Sequence, residues 1–188
     1  MDEKDELGIR WAFLRRTPTF LNWFDAPAIL KRIKPYIKPG DFVADLGCGW
    51  GYFTFLLADM VGEAGRVYAV DLGDKCRKVI NRKAQKRGYS QIHAVTSTAA
   101  NLSFISDQSI DFIFANGLLC SMKSGRQEAV SEMKRILKPT GYAYISLGSG
   151  PTLGFMDENE WEELKTKFNL LLGGDFKNMW AVFSQLPA

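Results

Sequence analysis

The chain has 188 residues, of which 46% are hydrophobic, so it is long and apolar enough for one globular domain with a sizeable core. No apolar run approaches the ~20 residues that a membrane-spanning helix needs. Three cysteines without paired spacing and a single histidine argue against a disulfide framework and against a structural zinc site. We therefore expect a metal-free protein that contacts no membrane.

The charges are unevenly distributed although the net charge is only +3. Acidic residues near the amino terminus have the wrong sign for a signal or transit peptide, which together with unpaired cysteines predicts a cytoplasmic location. No acid occurs between Asp74 and Asp107. The basic residues at the start of that stretch are Lys75, Arg77, Lys78, Arg82, Lys83, Lys86 and Arg87. Such a run is typical either of a solvated helix face or of a surface that meets phosphates.

Hydrophobic periodicity predicts strands and helices in alternation. Isoleucines four residues apart predict a first helix at 27–37. Strands are predicted at 42–46, 66–70, 92–96, 110–115 and 142–147, the last after a turn at 138–141. Further helices are predicted from the turn after the first strand to about 61, and at 75–87, 126–137 and 158–168; residues 169–172 and 179–183 are predicted to form a closing strand pair. This alternation predicts an α/β/α sandwich around a parallel sheet.

The segment after the first predicted strand carries the clearest functional signal. Asp45 ends an apolar run, and glycines follow at 47, 49 and 51. Glycine tolerates positive φ and has no side chain, so backbone can come very close to a ligand there. The dinucleotide fingerprint is G-x-G-x-x-G, whereas this spacing is G-x-G-x-G with no basic residue beside it. An acid before the turn would repel a pyrophosphate but could accept hydrogen bonds from an ammonium group.

Acid-x-Gly-x-Gly-x-Gly resembles the first motif of the class I, Rossmann-like S-adenosylmethionine-dependent methyltransferases. The resemblance extends over roughly residues 28–147 and is greatest for small single-domain members like the methyltransferase type 11 group. Asp71 ends the second strand about 20 residues after the glycines, where a carboxylate can hold two ribose hydroxyls. Residues 98–104 and 137–142 match two later family segments, although Thr98 stands where the family usually has an acid.

The resemblance implies the fold, the cofactor and its contacts. The implied fold is a three-layer α/β/α, doubly wound, mostly parallel seven-stranded sheet with an antiparallel strand near the C-terminus. The cofactor is S-adenosyl-L-methionine, which leaves as S-adenosyl-L-homocysteine. The implied cofactor-binding residues are Asp45, Gly47, Cys48, Gly49, Gly51, Asp71, Leu72, Thr98, Ala99 and Asn116. Among them, Asp45 faces the methionine amino group, Asp71 and Leu72 hold ribose and flank adenine, and Thr98 is either an adenine contact or a turn-capping hydroxyl.

The same resemblance implies a division of the chain. Residues 1–188 form a single methyltransferase domain, with a helical lid segment at 1–40, a cofactor-binding core at 41–148 and a C-terminal helix with a strand pair at 149–188. The lid would roof the acceptor pocket. Trp11, Phe20, Trp23 and Phe24 either line that pocket or pack the first helix on the sheet.

The methyl acceptor is less clearly indicated than the donor. A methyl sulfonium is already activated, so positioning rather than a catalytic triad is required, and no catalytic residue is assigned. His93 is predicted at the start of a strand, away from the methyl group, and Cys120 is predicted to be a small buried residue. Asn116 is at the carboxyl end of the fourth strand, where family members often place acceptor-facing groups. Without a long insertion after the fifth strand, a small-molecule acceptor is expected.

Three other functions remain open from the sequence. An RNA or protein methyltransferase would use the basic helix at 75–87. A non-catalytic S-adenosylmethionine-binding module would need no base. A nicotinamide oxidoreductase is opposed by the glycine spacing. The oligomeric state has no signal in the sequence.

Overall fold

The structure is a computed structural model that describes residues 19–147, 156–174 and 180–185, with side chains from residue 26 onward. The four aromatic residues proposed for the acceptor pocket therefore lie outside the described part: Trp11 falls before it, and for Phe20, Trp23 and Phe24 only the backbone is described. Those two interpretations of the amino-terminal aromatics both stay predictions.

Helices and strands alternate along the described chain. The helices are α1 (Thr19–Ile33), α2 (Tyr52–Val61), α3 (Asp74–Arg87), α4 (Arg126–Ile136) and α5 (Glu158–Thr166), with short 3₁₀ turns at Lys34–Tyr36 and Leu119–Ser121. The strands are β1 (Phe42–Leu46), β2 (Arg66–Asp71), β3 (Ile92–Thr96), β4 (Ile110–Asn116), β5 (Leu137–Ser146), β6 (Asn169–Gly173) and β7 (Trp180–Ser184).

The seven strands form one sheet in the order β3-β2-β1-β4-β5-β7-β6. Pairing is parallel from β3 through to β5, and β7 runs antiparallel to both β5 and β6. The predicted fold class, mostly parallel with an antiparallel strand near the C-terminus, is confirmed. After β1 the chain adds β2 and β3 on one side of the sheet, and then β4 and β5 on the other side of β1. The order in which strands are added therefore reverses between β1 and β4. Ligands of open α/β sheets bind outside the carboxyl ends of the strands at such a switch point.

The sheet is buried on both faces because the central strands are apolar almost throughout. Phe112, Ile113 and Phe114 of β4 are each at most 1% exposed, which is the pattern of a strand covered from both sides. Helix α4 covers one face with Ala129 and Met133, and the two described core clusters lie on opposite sides of the sheet. This rigid core fixes the positions of the strand ends, where the polar residues of the site lie.

Two predicted elements differ from the structure. The first helix occupies 19–33 instead of 27–37. The helix contains Pro27, which lacks an N–H group and so omits one backbone hydrogen bond. It ends at Ile33 and is followed by a 3₁₀ turn that contains Pro35. Strand β5 begins at Leu137 instead of residue 142, because Ile110 pairs with Leu137 while Phe112 pairs with Tyr142. Residues 138–141 are accommodated as an irregularity in the β4–β5 ladder.

Within the described ranges, none of the helices is both long and apolar enough to cross a membrane. The helix with the basic run, α3, buries only Cys76, Ile80 and Ala84. Of its remaining positions, Asp74, Arg77, Val79 and Lys83 are half-buried and the others are exposed.

Candidate functional site

The polar residues predicted for the site gather at one edge of the sheet. Asp45 and Asp71 lie at the carboxyl ends of β1 and β2, and Asn116 ends β4. Asp71 is in register with Thr96, so the turn that contains Thr98 begins at the same edge. Parallel pairing therefore brings together residues that are up to 71 positions apart in the chain.

The glycine-rich loop is tied to β2 by its backbone. The N–H groups of Gly47 and Cys48 both donate to the Val70 carbonyl, at 2.8 and 3.1 Å. Gly49 has φ of +52° and Gly51 has φ of +83°, a region that side chains rarely adopt. A Cβ on Gly51 would lie 2.8 Å from Ile80 Cγ1, whereas a Cβ on Gly49 would meet nothing within 4 Å. Gly51 is thus required for packing, and Gly49 faces open space where a ligand can approach the backbone.

Asp45 is a buried carboxyl, only 2% exposed. Its Oδ2 accepts a 2.6 Å hydrogen bond from the Thr54 hydroxyl on α2. Burial raises the pKa of Asp45 to about 7; the Thr54 hydrogen bond lowers it and the Asp71 charge raises it. Such a carboxyl gains most from a cation placed beside it, because a positive charge would stabilise the form that burial disfavours.

Asp71 joins the glycine loop to the end of β2. Its Oδ2 accepts from Gly49 N–H at 3.0 Å and its Oδ1 accepts from Gly73 N–H at 2.8 Å. The residue is 6% exposed. A carboxylate oxygen has two lone-pair sites, so a carboxylate can accept from backbone N–H groups and from a ligand hydroxyl at once. The side chain therefore shapes the loop and offers two oxygens to one ligand.

Two other predicted contacts border the same edge. Leu72 follows Asp71 and is 46% exposed, unusual for a leucine and suited to lie against a flat ring. Thr98 Oγ1 accepts from Ala100 N–H at 3.2 Å, which is the turn-capping role considered for it. Ala99 is buried. A ligand contact by Thr98 or Ala99 stays a prediction.

Asn116 is held by a partner on the neighbouring strand. Ser146 Oγ donates to Asn116 Oδ1 at 2.6 Å, and the two residues are in register across β4 and β5. The Gly117 N–H donates to the Ser146 carbonyl at 2.9 Å, which fixes the turn after β4. With its oxygen engaged, the Asn116 carboxamide can donate through Nδ2 to a ligand.

The thiols and the histidine do not offer a nucleophile or base at this edge. Cys120 is buried, and its thiol donates to the Leu147 carbonyl at 2.9 Å; burial raises its pKa to about 11. The pKa of Cys48 is raised well above its usual value, first by burial and then by the nearby acids. His93 is three residues before the carboxyl end of β3, about 10 Å away along the strand. The predicted position of His93 near the start of its strand and the predicted burial of Cys120 are confirmed, and their lack of a catalytic role stays a prediction.

Two residues of the site were missed by sequence reasoning. Thr54 touches Asp45 and Ser146 touches Asn116. Thr54 could have been found, since it is the only Ser or Thr in the apolar helix that follows the glycines. Ser146 carries no local signal, because its partner is 30 positions away in the chain.

A mostly parallel sheet of this order, with a glycine loop and two carboxyls at its switch point, defines a Rossmann-like α/β protein with a site for a nucleoside-containing ligand. A family model described as a methyltransferase domain matches residues 43–141, which is more than half of the chain. The chain belongs to this methyltransferase family. The resemblance drawn from the sequence, with S-adenosylmethionine as the cofactor, is thereby confirmed at the level of the family.

Curated relatives are similar over part of their length. A demethylmenaquinone methyltransferase of Lactobacillus johnsonii is 32% identical over 65% of this chain and 49% of its own. The enzyme of the same name from Geobacillus stearothermophilus is 30% identical over 62% of this chain and 49% of its own. The chain thus spans about half the length of the curated relatives it matches.

Solved structures share the fold over nearly the whole chain. A SAM-dependent methyltransferase from Aquifex aeolicus has a TM-score of 0.69 at 23% identity and covers 97% of both chains. A TehB-like SAM-dependent methyltransferase from Corynebacterium glutamicum has a TM-score of 0.65 at 18% identity and also covers 97% of both. At these identities the likeness concerns the fold.

Proposed function

We propose that the protein transfers a methyl group from S-adenosylmethionine to a small-molecule acceptor. The observation that carries this proposal is the pair of buried carboxyls, Asp45 and Asp71, on either side of a glycine loop at the switch point. A zwitterionic methionine tail and a vicinal diol offer donors to both. Such a ligand brings no phosphate to the site. Two carboxylates would repel a phosphate group.

The residues present fit the cofactor in a definite order. Asp45 takes the methionine ammonium group, directly or through one water. The open space beside Gly49 receives the chain between the methionine and the ribose. Asp71 accepts from the ribose hydroxyls, and the exposed Leu72 lies against adenine. Thr98 and Ala99 complete the adenine end, with one Thr98 lone pair already used by Ala100.

The reaction needs positioning more than acid–base chemistry. A lone pair of the acceptor forms a bond to the methyl carbon, the carbon–sulfur bond breaks, and its electron pair neutralises the sulfonium as thioether. Any proton on the acceptor passes to solvent or to a nearby base. Holding the three atoms in line can supply several kcal/mol, on the order of the effective molarities of oriented reactants.

A small acceptor suits the described chain. Residues 147–157 alone join β5 to α5, which leaves no room for a large substrate-binding insertion there. The curated relatives are named for demethylmenaquinone. We therefore place a small molecule ahead of an RNA or protein acceptor. The Asn116 carboxamide, oriented by Ser146, would donate to an oxygen of that acceptor.

We also propose how the chain is organised for this function. One domain, residues 1–188, would combine the cofactor-binding core at 41–148 with a lid at 1–40 and a closing unit at 149–188. The lid and its aromatic residues would cover the acceptor at the carboxyl edge of the sheet.

Two experiments test the proposal in sequence. Calorimetry with S-adenosylmethionine, S-adenosylhomocysteine and NAD should show binding of the first two alone; binding of NAD alone would contradict it. Methyl transfer from labelled S-adenosylmethionine is then measured to demethylmenaquinone and to small phenols, thiols and amines. Binding without transfer to any acceptor, including RNA and protein fractions, would favour a non-catalytic module.

A further inference from the structure

Among the described residues, four basic side chains of helix α3 line one open cleft on the surface. Its lining residues are Arg82, Lys83, Lys86 and Arg87, and its volume is about 460 Å³. Three of these side chains are exposed and Lys83 is half-buried. The Arg87 guanidinium lies over the Phe55 ring at 5.4 Å, which limits its movement. The four charged groups therefore cluster around one open cleft, whose described walls are formed mainly by the apolar stems of their side chains.

The cations of the cleft are unpaired within the described residues. Earlier in the same helix, Arg77 and Lys78 both form ion pairs with Asp74 at 2.7 Å. The four cleft residues make no ion pair with a described acid. Asp59, an exposed acid near this surface, accepts from the Tyr89 hydroxyl at 2.7 Å. Four like charges in one cleft repel one another, so an anion that bridges them would relieve that repulsion.

The cleft is separate from the methyl-donor site. Gly73, which precedes α3, contacts Asp71, so the amino end of the helix faces the cofactor edge. With a rise of 1.5 Å per residue, Arg82 and Arg87 are about 12 and 20 Å further along the helix. A small acceptor that reaches the methyl group cannot also fill this cleft. An extended anion can occupy the cleft on its own.

We propose that this cleft binds the phosphate backbone of a nucleic acid. A single phosphate carries at most two negative charges, whereas four cations can neutralise several consecutive phosphates. An anionic membrane is a poorer fit, because a helix that docks on lipid presents apolar side chains beside its basic ones. Here the outward positions between the cations hold Asn81 and Gln85, which are polar and exposed.

This proposal goes beyond the proposed methyl transfer and is tested without it. The probe is a fluorescently labelled 20-nucleotide oligouridylate, titrated with the full chain between 20 and 200 mM salt. Four phosphate contacts on a single strand predict a slope of log K against log salt of about −3. The variant Arg82→Gln/Lys86→Gln should weaken binding at least about fivefold and reduce that slope by about 1.4.

The control removes the same charge elsewhere. Lys31→Gln/Lys34→Gln takes two exposed cations from α1 and the 3₁₀ turn and should leave oligouridylate binding within twofold. Circular dichroism and thermal melting check that each variant is folded. No oligouridylate binding at 20 mM salt, equal loss in both variants, or a preference for phosphatidylserine vesicles or tripolyphosphate over oligouridylate would each overturn the proposal.

Discussion

Thr54 donates its hydroxyl hydrogen to the Asp45 carboxyl at 2.6 Å, and both side chains are almost fully buried. The bond crosses from α2 to the end of β1 and holds one oxygen of the acid in place. It offsets only part of the cost of burial, since the pKa of Asp45 still rises to about 7. Asp45 is thus an acid that titrates near neutral pH at the base of the proposed cofactor site.

This raised pKa predicts that the protein loses stability as pH rises from about 4 to about 7. In that window the unfolded chain has released the Asp45 proton at its ordinary value of 3.8, while the folded protein still holds it. Three units correspond to about 4 kcal/mol as an upper figure. Urea unfolding of the Asp45→Asn variant should lack this loss. An equal pH dependence in that variant and in the wild type would contradict the raised pKa.

The same group predicts a pH optimum for cofactor binding. Below pH 7 the ammonium group of S-adenosylmethionine must displace the Asp45 proton, so affinity should rise up to about tenfold per pH unit there. Above about pH 8 the α-amino group of the cofactor loses its own charge, and affinity should fall. Calorimetry in buffers of different ionisation enthalpy would show proton release near pH 6. An affinity for S-adenosylmethionine that does not change between pH 5.5 and 7 would show that Asp45 does not contact the ammonium group.

Substitution of the two loop glycines by alanine should have different effects, one mainly on stability and the other mainly on cofactor affinity. Gly51→Ala should lower the free energy of unfolding by about 2 kcal/mol or more, because a positive φ and a contact with Ile80 add together. Gly49→Ala meets no neighbour, so its cost is limited to about 1 kcal/mol of φ strain. It should nevertheless reduce S-adenosylmethionine affinity more than tenfold, since its methyl group enters the proposed ligand space.

Thermal melts and calorimetry on the two glycine variants provide the comparison, each serving as the control for the other. Unaltered affinity in folded Gly49→Ala would show that the cofactor does not approach this backbone. Gly51→Ala of wild-type stability would show that Ile80 moves away at little cost.

Local patterns predicted most of the fold, while contacts between distant residues were not predictable. Hydrophobic periodicity identified β1 to β4 to within one residue, and the alternation of elements indicated a parallel sheet. Asp45 and Asp71 were found because each lies at or next to the end of a strand, beside a turn. Their partners Thr54 and Gly49, and the Ser146–Asn116 pair, depend on which strands become neighbours. The start of α1 was missed because Pro27 looks like a helix boundary yet lies inside the helix.

Asp71 is predicted to be a main determinant of cofactor affinity. Asp71→Ala should lose at least tenfold affinity for S-adenosylmethionine, because both ribose hydroxyls lose their acceptor. It also leaves the N–H groups of Gly49 and Gly73 without their carboxylate, which should cost about 1–3 kcal/mol of stability. Calorimetry is therefore done well below the melting temperature of the variant.

The matched control for that change is Asp74→Ala, which removes an acid from the same turn. Asp74 is more exposed, and its pKa is lowered to about 2 by hydrogen bonds from Lys78 and then Arg77. It should bind the cofactor within twofold of wild type. Equal affinity in the Asp71 and Asp74 variants would contradict the ribose assignment while leaving the fold intact.

Ser146 is predicted to be a positioning residue for Asn116. A double-mutant cycle with Ser146→Ala and Asn116→Ala should give a coupling of about 1 kcal/mol in urea unfolding, since the two share a 2.6 Å hydrogen bond at a buried strand edge. Ser121→Ala is the control, because that hydroxyl donates to the Leu118 carbonyl and makes no described contact with Asn116.

The structural coupling should reappear in catalysis if the carboxamide faces the acceptor. Ser146→Ala would then raise the acceptor KM or lower kcat while S-adenosylmethionine affinity stays within twofold, because the carboxamide is no longer held with its nitrogen toward the acceptor. Ser121→Ala should change neither. A drop in cofactor affinity equal to the drop in kcat/KM would instead place Asn116 against the methionine portion of the donor, and a coupling near zero would show that Ser146 does not orient it.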